Sequence, residues 1–208
     1  VASQFDRFQA MLVRPLSGRA RLGLLVLLAP LLASFLWPLW SMHFEAPQYP
    51  DGLRLEIYAH TVDGDLQEIN TLNHYIGMAS INRAELSDLD WIPFALGVIV
   101  LLTLRVAAVG DLRALIDLVV LAGYFGVFSM GRFVYKLYVF GHNLDPRAPF
   151  SMEPFTPAIL GTKQIANFTT TSVPGAATWL IAIFALGVIA ITSWQLMSGI
   201  RGERRVGP

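Results

Sequence analysis

The chain has 208 residues, 54% of them hydrophobic and 14% charged, with a formal net charge of zero and a mean hydropathy of +0.53. That balance lies outside the range of soluble globular domains and points to a bilayer as the solvent. Cysteine is absent, which excludes disulfides, thiolate metal sites, iron–sulfur clusters and haem attached through C-x-x-C-H, so any metal ligand must be His, Met, Asp or Glu.

A spanning helix needs about 20 mainly apolar residues to cross roughly 30 Å of hydrocarbon. Four stretches meet that requirement. After a basic N-terminal segment, 1–21, the first predicted span covers 22–42, too long and too late for a simple cleaved signal, with Pro30 and Pro38 expected to kink it. An outer segment follows over 43–90. In it Leu53, Leu55 and Ile57 alternate with Arg54, Glu56 and Tyr58, and Asp63-Gly64 supplies a turn before a second extended stretch near 66–69, which predicts a β-hairpin. A helical turn or two is expected over 71–78 and a short amphipathic piece over 79–86. Asp90 is placed to cap the second span, 91–109, just ahead of Pro93. A link at 110–114 leads to the third span, 115–138. The second outer segment, 139–175, carries Pro146, Pro149, Pro154, Pro157 and Pro174 and is expected to be an irregular cover. The fourth span covers 176–198, before a tail at 199–208. The predicted fold class is an all-α membrane protein, four transmembrane helices bearing a small periplasmic cap that contains the hairpin. Neither outer segment can build a core alone, so Leu53, Leu55, Ile57, Phe150, Phe155 and Phe168 are expected to bury one another.

Nine arginines lie on the side of the two termini, against four acids. The opposite side carries eleven acids against six bases, the latter including Arg132 and Lys136 near the end of the third span. By the positive-inside rule the arginine-rich side is cytoplasmic, and both outer segments are then periplasmic. The expected location is a bacterial inner membrane. The tail arginines are expected at the anionic inner-leaflet surface.

All four histidines, His43, His60, His74 and His142, fall on the outer side. If 73–78 is helical, His74 and Met78 project from one face and can hold a soft ion such as Cu(I), with Met42-His43 offering the same ligand pair and His142-x-x-Asp145 a nitrogen and a carboxylate. The bland alternative is that such pairs are ordinary packing or surface histidines. Haem is disfavoured because no histidine lies within a span. Arg132 and Lys136, one turn apart, either line a polar cavity with Asp117, as a quinone site would need, or snorkel to the headgroups while Asp117 pairs with Arg113. Gly123, Gly126, Gly131 and Gly187 read as close-packing points between helices. No Gly-x-Ser-x-Gly, phosphate-binding glycine loop or His-Glu-x-x-His is present, and no catalytic residue is assigned.

Residues 42–50 (MHFEAPQYP), 70–78 (NTLNHYIGM) and 161–168 (GTKQIANF) resemble a poorly characterised family of four-span bacterial inner-membrane proteins associated with nitrous-oxide respiration and periplasmic copper handling. The resemblance implies copper as cofactor, with His43, His74, Met78 and His142 as ligands and Asn73 and Asn167 as supporting or loop-fixing groups. The expected function is therefore a periplasm-facing accessory protein that binds copper and supports a respiratory metalloenzyme. The alternative is a non-catalytic assembly subunit whose periplasmic loops dock on a larger membrane complex. Expected partners are the lipid bilayer and a membrane or periplasmic protein, with no nucleic acid.

Overall fold

A computed structural model describes residues 4–82, 89–165 and 168–206. In chain order these form α1 (Gln4–Leu12), α2 (Gly18–Ala33) with a 3-10 turn (Ser34–Leu36), β1 (Trp40–Ala46), β2 (Tyr49–Ile57), β3 (Val62–Gly64), α3 (Leu66–Ile76), α4 (Trp91–Val109), α5 (Leu112–His142), β4 (Gly161–Ile165), β5 (Phe168–Pro174) and α6 (Ala176–Val206). Among the described residues four helical stretches, Gly18–Leu36, Trp91–Val109, Leu112–His142 and Ala176–Ser198, are long and apolar enough to cross a membrane. Their outward residues suit the same solvent: Phe94, Leu101, Val120, Val127 and Leu186 are all exposed, a large apolar surface of the kind that meets lipid or another apolar partner.

The chain divides into two compact units. The first comprises α1, α2 and the parts of the other long helices within 95–126 and from 180 onward. Leu24, Leu115 and Val188 are fully buried there. Thr103 and Thr192 hide their hydroxyls by donating to the carbonyls of Ile99 and Val188 one turn back, both at 2.7 Å, which satisfies a polar group where no water can. Gly187 is a close-packing point, since a Cβ there would lie 2.5 Å from Leu27. Gly123, Gly126 and Gly131, expected to act likewise, have nothing within 4 Å of such a Cβ among the described residues. Arg21 wraps onto the Ala108 carbonyl, and the amide of Leu112 donates to Arg14 O at 3.1 Å, which ties the link before α5 to the chain ahead of α2.

The second unit, residues 34–94 and 127–179, contains a five-stranded antiparallel sheet of order β3-β2-β1-β5-β4. The cap is thus much more than a hairpin. The first span was expected to run to Met42, but the helix ends by Leu36 and Trp40 already belongs to β1. Pro38 explains the break, because proline has no N–H to donate and disfavours helical geometry in the residue before it. Beyond it Trp40, Met42 and Ala46 are buried while His43 and Glu45 are not, the period of a half-buried strand. Asp63-Gly64 was expected to turn between two strands. Instead β2 and β3 are joined at 58–61, Asp63-Gly64 lies within β3, and the stretch near 66–69 opens α3. The second outer segment, expected to be irregular, supplies β4 and β5, and its Thr-rich stretch pairs with β1 in the register Phe44↔Thr170 and Met42↔Ser172. The two outer segments therefore share one sheet, but the buried core centred on Trp40, Met42, Leu53, Leu55 and Ile69 is built from β1, β2 and α3 with Phe133 and Leu137 of α5 packed against it, and Phe150, expected inside a common core, is exposed. Trp40 Nε1 donates to Ser172 Oγ at 2.7 Å, and that hydroxyl donates on to Ile159 O at 3.1 Å. Of the expected amphipathic piece over 79–86, residues 83–86 lie outside the described residues, as does Asn167.

Candidate functional site

The second unit contains a partly open cavity of about 660 Å³. Three kinds of wall build it. β1 contributes Met42 and Phe44 from its inward face, and Leu55 of β2 and Thr170 of β5 join them. α3 is amphipathic: Ile69, Leu72, Asn73 and Ile76 fall at i, i+3, i+4 and i+7 and all line the cavity, while Thr71 and His74 on the other side are exposed. The last part of α5 presents Phe133, Leu137 and Phe140 at the same helical spacing. The remaining wall is the 150–157 loop, held by the amide of Phe150 donating to Tyr75 O at 3.0 Å and that of Phe155 donating to Gly141 O at 2.9 Å. The volume sits within the roughly 300–1,000 Å³ of small-molecule sites, and the mainly apolar lining suits a hydrocarbon or ring system.

The polar groups in this wall are few and specific. Arg132 and Lys136 line it one turn apart on α5, with the Arg132 guanidinium 5.6 Å from the Tyr135 ring and Lys136 Nζ 5.3 Å from the Phe140 ring. The two cations therefore face a cavity, as one reading of the sequence held, but Asp117 is not part of the described lining, which is apolar rather than polar. Asn73 is buried and its Nδ2 donates to Ala79 O at 3.4 Å, so it does fix a loop. Asn70 holds the same segment at two points, Oδ1 accepting from Ile81 N at 2.6 Å and Nδ2 donating to Ile81 O at 3.0 Å. Thr170 is fully buried beside the cavity, and its hydroxyl has no hydrogen-bond partner among the described residues.

No family model, curated protein or solved structure matches the chain.

The four residues expected to hold copper are placed as follows. α3 ends at Ile76, and Gly77 adopts a left-handed conformation, φ 79°, with the amide of Met78 donating to Asn73 O at 2.9 Å. His74 and Met78 are thus separated by a helix cap, not stacked on one helical face: His74 is exposed, whereas Met78 lines the cavity. His43 lies in β1, not at a helix end, with its ring over Gly52, where a Cβ would meet Nε2 at 2.3 Å, and Nε2 3.8 Å from Glu45 Oε1. His142 closes α5, stacked on Tyr138 at 3.8 Å with Nδ1 2.9 Å from Tyr138 O. His60 is exposed near Tyr58. Among the described residues no three His, Cys, Asp or Glu side chains gather to hold a metal ion.

The electrostatics outside the spans are modest. The Tyr58 phenol is pushed up because it donates to the Glu56 carboxylate at 2.8 Å, a bond the ionised phenolate cannot make. The Asp145 carboxyl is held below the usual range, first by the backbone N–H of Arg147 at 2.9 Å and then by its guanidinium at 3.3 Å. The amide of Asp145 donates to Gly77 O at 2.8 Å, which anchors the 145–148 turn on the cap of α3.

Proposed function

We propose that this chain is a membrane protein that binds a lipid-class molecule in the cavity of its sheet-bearing unit. The observation that carries the reading is the cavity itself, about 660 Å³ with walls from α3, α5 and all five strands. A partly open pocket of that size with an apolar lining leaves that lining short of dispersion contacts, and an apolar occupant supplies them. The copper-accessory expectation drew on the His74–Met78 helical pair, which Gly77 interrupts, so the cavity is the better-supported site. The arginine-rich side remains the proposed cytoplasmic face, which puts the sheet outside. Cysteine at Asp63 then reacts with an impermeant thiol reagent in intact spheroplasts, and labelling only after lysis would reverse that orientation.

The binding reading is tested by extracting the detergent-purified protein with organic solvent and quantifying lipids against protein. Near-stoichiometric recovery of one lipid class is expected. Leu137→Trp, which puts an indole into the cavity, should lower that recovery severalfold while leaving the far-ultraviolet circular dichroism unchanged. Equal recovery from wild type and the folded variant would contradict the proposal.

A further inference from the structure

Building on that reading, we infer that the cavity takes a neutral ring compound with an apolar tail, the ring carrying a carbonyl or hydroxyl oxygen that pairs with Thr170. The wall changes character along the sheet order β3-β2-β1-β5-β4. β3, β2 and α3 line it mainly with aliphatic groups, Val62, Leu55 and Leu72 among them, whereas β1 and β5 bring Phe44 and Phe168, and the 150–157 loop adds Phe155. The aliphatic end suits a flexible chain. The aromatic end suits a flat ring, because π faces and edges add a directional attraction that a saturated group cannot return. Thr170 belongs to that aromatic end: it stands opposite Phe44 in the β1–β5 register, and both residues line the cavity. Side chains directly opposite each other in an antiparallel pair have Cβ atoms about 5 Å apart, so a ring resting on Phe44 has its substituents within reach of the threonine. Thr170 is fully buried, and its hydroxyl has no hydrogen-bond partner among the described residues, although a buried hydroxyl ordinarily finds one. An occupant of the cavity supplies that partner. The hydroxyl is both donor and acceptor, so a ring carbonyl can accept from it or a ring hydroxyl donate to it.

The test titrates delipidated full-length protein in a neutral detergent with a set of decyl compounds, each corrected for its own partition into micelles. The heads are a benzoquinone, a phenol, their saturated counterparts cyclohexanedione and cyclohexanol, and benzene, which has the ring without the oxygen. Wild type should bind the quinone or the phenol roughly fivefold or more above decylbenzene, the scale of a buried hydroxyl gaining its partner. The better of the two shows whether Thr170 donates or accepts. That compound should also exceed its saturated counterpart by about two- to tenfold, the scale of an aromatic pair. Thr170→Val, which keeps the shape and removes the oxygen, should bring the favoured compound down to the level of decylbenzene while decylbenzene binds as it does to wild type, which shows that the cavity is intact. If the oxygen-bearing rings bind wild type no better than decylbenzene, or no better than their saturated counterparts, the ring inference is overturned while the cavity reading survives. If no compound in the set binds, the cavity reading itself falls, and the ring inference with it. A preference that persists in Thr170→Val would overturn the assignment to that hydroxyl.

Discussion

Replacing Gly77 with alanine meets two independent costs. The residue sits at φ 79° in the cap of α3, a conformation that disfavours an L side chain by about 1–2 kcal/mol. A Cβ there would also lie 2.8 Å from Asp145 O and 3.0 Å from both Asp145 N and Ala148 Cβ, so the 145–148 turn must yield. Overpacking of this kind costs about 1–3 kcal/mol. The total is about 2–5 kcal/mol, a large share of the stability of an ordinary domain. It is felt first where the turn's amide bond to Gly77 O holds the second outer segment to α3. The assay is hydrogen exchange and thermal unfolding in detergent, comparing wild type with Gly77→Ala and Gly77→Asn. Alanine should lower the midpoint and deprotect the amides of Met78 and Asp145. Asparagine tolerates the left-handed region better but carries the same Cβ, so it should recover part of the loss and not all of it. An alanine variant as stable and as protected as wild type would refute both terms.

Three further perturbations probe the same unit. Ser172→Ala strips the partner from the buried Trp40 indole N–H and from Ile159 O, a loss of about 1–3 kcal/mol per group left unsatisfied; an unchanged thermal midpoint would show that the bond carries no stability. Thr170→Val keeps the shape and removes the unpartnered hydroxyl, so it should stabilise the delipidated protein by about 1 kcal/mol or more, and a lower midpoint would mean that the hydroxyl is satisfied after all. Because the Asp145 carboxyl is held below its usual range, its contribution is present above the unfolded carboxylate pKa of about 3.9 and disappears as pH falls through the lower folded value. Exchange protection of the Arg147 amide should therefore persist at pH 4 and fade in stronger acid, and fading well above pH 4 would contradict the cause assigned.

The spans were legible because each is a long apolar run, and no tertiary contact is needed to know that such a run seeks lipid. The first was misjudged at its end: Leu36, Trp37, Leu39 and Trp40 prolong the apolar run, and hydropathy outweighed the two signals of a strand, Pro38 and the period-two alternation from Trp40 to Ala46. β5 was hidden by its neighbours. The prolines at 146–157 marked irregular chain, but Thr169, Thr170 and Thr171 are β-branched and suit the sheet in which they lie. Met78 looked like a helical partner of His74 by spacing alone, and Gly77 was the residue that argued otherwise. The cavity could not be read from the sequence, because its walls come from strands and helices far apart in the chain. Of its polar groups, the one-turn spacing of Arg132 and Lys136 and the loop-fixing Asn73 were visible beforehand.

The central claim is that an apolar chain lies inside the sheet-bearing unit, and photo-crosslinking with a lipid carrying a diazirine in its chain locates that chain directly. Adducts should map to peptides of β1 and α3 and to residues 133–140 of α5, with Met42, Leu72 and Leu137 as the expected sites, and they should diminish there in Leu137→Trp. Adducts confined to lipid-facing residues such as Phe94, Val120 and Leu186, with none on β1 or α3, would contradict the account.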